Sequence, residues 1–169
     1  MVFRLGTFFK DHINCEDDQL AMDIHLNNDK SAFCFDKPIE TIPAEVYITN
    51  QRPDIVICNK VKKTIKLIEV TVPHESNIAN AQTRKASRYD GLIAGLDECG
   101  YDCTFHSVEF GSRGVIPHGT LKKLCNICGA RKSEVKAFLT NMSKLVLSCS
   151  YVIFKERNNE NAILSSVLN

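Results

Sequence analysis

Two acidic residues and one lysine have the types and the spacing that metal-assisted chemistry on a phosphate requires. Asp54 opens a short apolar run, Glu69 lies late in the next one, and a polar turn separates the two runs. If the runs pair as a hairpin, both carboxylates lie near the same end of a sheet. Two neighbouring carboxylates offer the oxygen ligands that Mg²⁺ accepts and leave room for waters and a phosphate. A metal held in this way polarises a phosphoryl oxygen and supplies hydroxide near neutral pH.

Glu69 is the more informative of the two acids, because it interrupts an apolar strand. Its neighbours Leu67, Ile68 and Val70 have the character of buried residues. An ionised carboxylate among them needs a cation or a hydrogen-bond partner. The alternative is a purely structural role, since a Pro-Asp before a strand and a glutamate within one are both common.

Lys85 is the third candidate. It lies in the apolar stripe of a predicted helix, four residues before Tyr89 and on the same helical face. A lysine that points inward after Glu69 can orient or deprotonate an attacking water, or stabilise charge on the phosphate. The alternative is that its ammonium reaches solvent along the side-chain stem. Arg84 and Arg88 point in another direction, toward solvent or a nucleic-acid backbone.

The elements that would position these residues are strands and helices in alternation. Runs of apolar and β-branched residues predict strands over 54–58, 64–72 and 101–110. Both faces of the second strand are apolar, which is typical of a central strand covered on both sides. Helical spacing and capping residues predict helices over 76–98, over 120–128 and from Ser133 onward. The order predicts an α/β fold with a mixed central sheet flanked by helices and a C-terminal helical extension.

The N-terminal part of the chain is the least readable. We predict a short helix over 16–26 and an extended, proline-punctuated segment over 36–43. The resulting division is an N-terminal segment (1–35), a main domain with its C-terminal helices (36–157) and a tail (158–169).

Size and composition fit one globular domain. The chain has 169 residues, of which 24% are charged. No apolar run approaches the roughly 20 residues of a membrane span, so we expect no membrane partner, and the N-terminus lacks the features of a signal peptide. We therefore expect an intracellular protein, and we further expect it in the nucleus. In that compartment its eight cysteines are buried thiols or metal ligands rather than disulfides.

The net charge of +1 conceals an uneven distribution. Residues 1–49 are acidic, whereas residues 50–90 and 113–134 are basic. Two basic segments predict a surface that attracts phosphate, and the alternative is a pair of ordinary solvated surfaces. Arg113, which lies in a short loop between two glycines, is a candidate for phosphate contact, unless the loop is an ordinary tight turn.

A pair of cysteines, Cys125 and Cys128, has the spacing of half a zinc site. Cys99, Cys103 or His118 could complete the four ligands. A second pair at the usual spacing is absent, and both cysteines fall on an apolar helical face. Core thiols are therefore favoured, and we expect no zinc.

Several segments together resemble a known family. They are Arg52-Pro-Asp54, Ile68-Glu-Val-Thr-Val-Pro-His-Glu-Ser-Asn77, Arg84-Lys-Ala-Ser-Arg-Tyr89, Val108-Glu-Phe-Gly-Ser-Arg-Gly114 and the stretch 148–157. In order and spacing they resemble the restriction-enzyme-like endonuclease domain, of the PD-(D/E)xK superfamily, that non-LTR retrotransposons carry in their reverse-transcriptase polyproteins. The similarity covers roughly residues 36–157.

The resemblance implies a nuclease that cuts DNA with Mg²⁺ or Mn²⁺. It implies Asp54 and Glu69 as metal ligands, Lys85 as catalytic base or charge stabiliser, and Tyr89 as its support. In most of the superfamily the lysine lies two residues after the second acid, where this chain has Thr71. In the retrotransposon branch the lysine lies on the following helix, as Lys85 does.

Two departures from the family leave alternatives open. In related proteins the domain is fused to a zinc knuckle and a reverse transcriptase, and neither is in this sequence. The superfamily's first helix, which often donates another acid, is not matched in residues 1–35. A polyprotein fragment and a separate host gene both remain open. The alternative function is a catalytically inactive, nucleic-acid-binding remnant of a mobile-element nuclease.

Overall fold

The computed structural model describes residues 1–13, 22–26, 42 and 44–167. These residues form four helices and four strands, with a single 3₁₀ turn at Glu75–Asn77. In chain order they are α1 (Val2–His12), β1 (Met22–Leu26), β2 (Ile55–Asn59), β3 (Thr64–Thr71), α2 (Ile78–Glu98), β4 (Asp102–Glu109), α3 (Thr120–Cys128) and α4 (Lys132–Val167).

The strands form one mixed sheet in the order β1-β2-β3-β4. β2 is antiparallel to both of its neighbours, and β4 runs parallel to β3. Ile55 pairs with Ile68, and on the other side of β3 Thr71 pairs with Glu109. The predicted α/β class with a mixed sheet and flanking helices is confirmed.

Helices cover the two faces of the sheet, and each face has its own apolar core. One core joins α2 to the sheet and contains Tyr89, Leu92 and Leu96. The other joins α1, α3 and α4 to the opposite face. The alternating residues of β3 are buried on both sides. β3 is therefore the central, doubly covered strand that the sequence predicts.

The prediction of a helix over 16–26 is wrong for its last five residues. Met22–Leu26 forms β1, which pairs with β2 from Met22 opposite Asn59 to Leu26 opposite Ile55. Residues 14–21 and the predicted extended segment, apart from residue 42, lie outside the described residues. The sequence Met-Asp-Ile-His-Leu alternates apolar and polar residues, which is the period of a strand. Pairing with β2 also satisfies backbone groups that a short helix would leave open.

A helix at the N-terminus was not predicted. α1 places Leu5, Phe8 and Phe9 in the core beneath the sheet. The ring of Phe8 stacks on Phe138 of α4, with centroids 4.2 Å apart. The N-terminal residues, for which the sequence predicted no element, therefore contribute to the main core.

The last helix starts earlier and runs further than predicted. α4 begins at Lys132, so Ser133 lies within the helix, and it continues to Val167, through most of the predicted tail 158–169. Four inner residues, Val135, Leu139, Met142 and Val146, are buried. Beyond Val146 the helix leaves the core. Helical spacing predicts Cys149 and Val152 on its inner face, but both are exposed.

By length and composition alone, Lys132–Arg157 is long and apolar enough to cross a membrane. The first half of this stretch is a core helix, because its inner residues pack against the sheet.

Candidate active site

Asp54 and Glu69 meet at one end of the sheet. Continuing the β2–β3 register by one residue places Asp54 opposite Glu69. The Asp54 amide donates to Glu69 Oε2 at 3.3 Å, and the Val70 amide donates to Asp54 Oδ2 at 2.8 Å. Each carboxylate therefore accepts a backbone hydrogen bond from the other strand. The antiparallel hairpin is what brings the two acids together.

Helix α2 places Lys85 and Tyr89 over Glu69. The Lys85 ammonium forms an ion pair with Glu69 Oε1. The Tyr89 hydroxyl lies 2.8 Å from Glu69 Oε2 and 3.2 Å from the Arg52 carbonyl, within donating distance of both. Glu69 is 5% exposed at its side chain and Lys85 20%. Lys85 therefore points inward to the acid, and its ammonium does not extend into solvent along the stem.

Tyr89 is held in its protonated form by burial and by the neighbouring carboxylate. Burial and the negative charge of Glu69 raise the pKa of Tyr89 above its ordinary value of 10.0. Tyr89 thus stays protonated at neutral pH and remains a hydrogen-bond donor. The Lys85 ammonium, the Tyr89 hydroxyl and the Asp54 backbone amide give the buried Glu69 carboxylate the polar partners that a buried carboxylate needs.

Asp54 and Glu69 are the two residues that would hold a hard divalent cation at this end of the sheet. Among the described residues, no three or more His, Cys, Asp or Glu side chains are close enough to form a metal site. Mg²⁺ is commonly held by only one or two carboxylates, with waters and a substrate phosphate completing its shell. The all-oxygen pair is consistent with that mode. A cation on Glu69 Oε1 would compete with the Lys85 ammonium.

Arg84 and Arg88 lie on the exposed side of α2, as the helical pattern predicts. The guanidinium of Arg88 lies 5.7 Å from the centre of the Tyr89 ring. Both arginines are next to the site in sequence, since Lys85 and Tyr89 follow them directly. Their contact with DNA stays a prediction.

Arg113 is exposed but already has a carboxylate partner. Its backbone amide donates to Glu75 Oε1 at 2.8 Å, and its Nε donates to Glu75 Oε2 at 2.9 Å. The backbone hydrogen bond from Arg113 is the largest of the effects that lower the pKa of Glu75 to about 2. This double contact joins the loop after β3 to the loop after β4. Contact of Arg113 with a phosphate stays a prediction.

The glycine of the second loop makes that contact possible. A Cβ on Gly111 would lie 2.7 Å from Glu75 Oε1, closer than side chains tolerate. The absence of a side chain at Gly111 therefore leaves room for the Glu75 carboxylate in this contact. Glu75 was not identified from the sequence as a site residue. It lies in the Pro-His-Glu segment, and its partner Arg113 lies in the Gly-Ser-Arg-Gly segment, both of which belong to the family resemblance.

The basic residues do not form one surface. Lys60, Lys62 and Lys63 lie in or beside the β2–β3 turn, at the end of the sheet opposite Asp54 and Glu69. Several basic side chains of the second segment are paired with acids: Arg113 with Glu75, Lys123 with Glu109 and Arg131 with Glu134. Near the site, Arg52, Arg84 and Arg88 are exposed.

A further acid, Glu109, was missed by the sequence analysis. It is the last residue of β4 and is 1% exposed. Gln82 of α2 donates to its Oε2 at 2.8 Å, and Lys123 Nζ lies 3.6 Å from the same oxygen. Glu109 stands between the buried residues Val108 and Phe110, the same signal that identified Glu69.

The two cysteines of the Cys-x-x-Cys segment lie on α3. Cys128 is buried, and its thiol donates to the Leu124 carbonyl at 3.0 Å. Cys125 is only partly buried and packs against the same core. Burial is confirmed for Cys128, and the expected lack of zinc stays a prediction.

Comparisons with family models, with curated proteins and with solved structures returned no match.

Proposed function

We propose that the chain is a metal-dependent endonuclease that hydrolyses DNA phosphodiester bonds. Its core would be that of the PD-(D/E)xK nucleases, of the restriction-like type found in retrotransposons. The observation that carries the proposal is the convergence of Asp54, Glu69 and Lys85 at one end of the sheet. Neighbouring members of this trio are at least 15 positions apart in the sequence. The side chain of one of them, Glu69, is only 5% exposed.

Each residue has a role that follows from its contacts. Asp54 and Glu69 would hold Mg²⁺ or Mn²⁺, which when bound polarises a phosphoryl oxygen and acidifies a water. Lys85 would leave Glu69 Oε1 and, as an ammonium, stabilise charge on the phosphate. To act instead as the base that takes a proton from the attacking water, it would first have to release its own proton to solvent. Tyr89 would keep the Glu69 carboxylate in place through its hydroxyl. Arg84 and Arg88 would bind phosphates beside the site.

The test is incubation of the purified chain with supercoiled plasmid, with and without Mn²⁺. Wild-type protein should nick the plasmid only with the metal, and Glu69→Gln should not nick it. The substitution removes the negative charge but hardly changes side-chain volume, so the strand still packs. Glu45→Gln is the matched control, because Glu45 is an exposed acid paired with Lys60. Equal nicking by wild type and Glu69→Gln would contradict the proposal.

A second candidate function is DNA binding without cleavage. The observation that favours it is the Lys85–Glu69 ion pair, which neutralises the buried carboxylate without a metal. In that case wild-type protein would bind DNA in a salt-dependent way. It would leave the plasmid intact at every Mn²⁺ concentration.

A further inference from the structure

Glu109 is a buried acid that the proposed mechanism does not use. It is the last residue of β4 and is 1% exposed. In the parallel β3–β4 register it lies beside Thr71, two residues beyond Glu69, so it stands at the same end of the sheet as the candidate site. Burial of a carboxylate is unfavourable unless polar groups surround it, so the partners of Glu109 indicate what it does.

Those partners come from two different helices. Gln82 of α2 donates to Glu109 Oε2 at 2.8 Å, and the Lys123 ammonium of α3 lies 3.6 Å from the same oxygen. Lys123 also donates to the Ser107 carbonyl at 2.5 Å. Because α2 and α3 pack against opposite faces of the sheet, one carboxylate ties both helices to the end of β4.

The Gln82 contact lies one helical turn before Lys85 on α2. Residues three apart on a helix are neighbours on its surface. Lys85 forms its ion pair with Glu69, on β3. Gln82 donates to Glu109, on β4. The same turn of α2 is therefore held at two points on adjacent strands, which restricts its rotation about the helix axis and its movement along the sheet.

The second of these attachments matters most in the proposed reaction. A divalent cation on Glu69 Oε1 would displace the Lys85 ammonium, so the ion pair would no longer hold this turn. The hydrogen bond between Gln82 and Glu109 involves neither of the proposed metal ligands and would still tie the turn to the sheet. Lys85 would then move only as far as its own side chain allows.

We propose that Glu109, acting through Gln82, is a positioning residue that keeps Lys85 at the site when the ammonium leaves Glu69. This inference rests on the proposed function, because it concerns the step in which Lys85 faces the phosphate. Lys123 gives the buried acid a cationic partner. A misplacement of about 1 Å can slow a reaction about 100-fold, so loss of the attachment should slow nicking and leave DNA and Mn²⁺ binding unchanged.

The test compares nicking rates of variants of the full chain at saturating plasmid and Mn²⁺. Gln82→Met removes the donor and keeps a side chain of similar length, and it should nick at least about tenfold more slowly than wild type. Gln82 lines an open pocket of about 370 Å³ at the outer edge of β4, so the change opens no cavity in the core. Glu109→Gln keeps an oxygen that accepts from Gln82, so it should nick at close to the wild-type rate.

Asn59→Ala is the matched control. It removes one side-chain hydrogen bond, from the Lys62 amide, at the end of the sheet opposite the candidate site. Its stability should fall as that of Gln82→Met does, and its nicking rate should not. The dissociation constant for plasmid and the half-saturating Mn²⁺ concentration should be those of wild type in all three variants.

A second measurement does not depend on cleavage. In the metal-free chain the carboxyl-carbon resonance of Glu69, followed by nuclear magnetic resonance, senses the Lys85 ammonium beside it. This resonance should move in Gln82→Met, because one of the two attachments is lost, and should stay in place in Asn59→Ala. An unmoved resonance in Gln82→Met would overturn the inference.

The outcomes separate this inference from the proposed function. If wild type nicks plasmid and Gln82→Met nicks at the same rate, the inference is wrong and the proposed function stands. If folded Glu109→Gln nicks as slowly as Gln82→Met, the charge of Glu109 is what matters and the inference is also wrong. If wild type does not nick but the Glu69 resonance moves in Gln82→Met, Glu109 positions Lys85 and the proposed function fails.

Discussion

The Tyr89 hydroxyl lies 2.8 Å from Glu69 Oε2, although the two residues are 20 positions apart in the chain. The ring that carries this hydroxyl is fully buried and packs near Phe105, with centroids 5.4 Å apart. Tyr89 thus belongs both to the α2-side core and to the candidate site. Packing fixes the position of the ring, and the hydrogen bond from its hydroxyl in turn positions the Glu69 carboxylate.

Tyr89→Phe should separate these two roles. The ring keeps its packing, and the loss of one hydrogen-bond donor should lower the free energy of unfolding by about 1 kcal/mol. Plasmid nicking should slow more than DNA binding weakens, because Glu69 loses a contact that orients it. Denaturant unfolding, nicking rates and filter binding on the same preparation measure the three quantities. A folded variant that nicks plasmid at the wild-type rate would contradict this role.

Lys85→Met should remove the ammonium while keeping an apolar stem of similar length. The nicking rate should fall to background, since no other described lysine contacts Glu69. Mn²⁺ affinity should stay equal or increase, because Glu69 Oε1 no longer has a competing cation. Lys62→Met, at the far end of the hairpin, is the matched control for nicking and Mn²⁺ binding. Unchanged nicking in Lys85→Met would remove Lys85 from the mechanism.

Arg84→Ala with Arg88→Ala should weaken DNA binding and flatten its dependence on salt. Each phosphate contact that is lost should lower the salt slope by about 1. The measurement is the dissociation constant at several salt concentrations. Lys62→Ala with Lys63→Ala removes the same charge from the opposite end of the sheet. If the two double variants bind alike, DNA does not lie along α2.

The Glu75–Arg113 contact should make stability depend on acid pH. In the folded chain the pKa of Glu75 is lowered from 4.5 to about 2, so the contact stabilises the fold fully above pH 4.5. This contribution should fall as the pH decreases from 4.5 toward 2, where both states bind the proton. Denaturant unfolding of wild type and Glu75→Gln across that range measures the difference. A difference that stays constant with pH would contradict the assignment.

Phe9→Ala should show that α1 is part of the core. Phe9 is fully buried beneath the sheet, so the truncation should cost about 3–5 kcal/mol of unfolding free energy. Phe154→Ala on the exposed part of α4 is the matched control and should change stability by less than about 0.5 kcal/mol. Thermal or denaturant unfolding measures both. If the two variants have the same free energy of unfolding, α1 does not unfold together with the rest of the domain and the prediction is wrong.

The local sequence determined the parts of the fold that depend on residues close together in the chain. β2, β3 and their turn follow from β-branched runs interrupted by polar residues, and α3 ends at Gly129, whose positive φ favours glycine. The same reasoning identified Asp54, Glu69 and Lys85 as candidates, because two signals are local: an acid within an apolar strand, and a lysine within an apolar helical stripe.

Only the tertiary structure decided which of these groups contact one another. The parallel placement of β4 beside β3 brings Glu109 next to Thr71, and the meeting of two loops pairs Arg113 with Glu75. The pairing of β1 with β2 likewise makes a strand of the last five residues of the predicted helix. Local periodicity specifies the type of an element and the face that is buried. Strand order and the partner of each buried charge depend on contacts between segments that are distant in the sequence. These contacts provide the hydrogen bonds that buried backbone and carboxylate groups need, and local sequence patterns do not predict them.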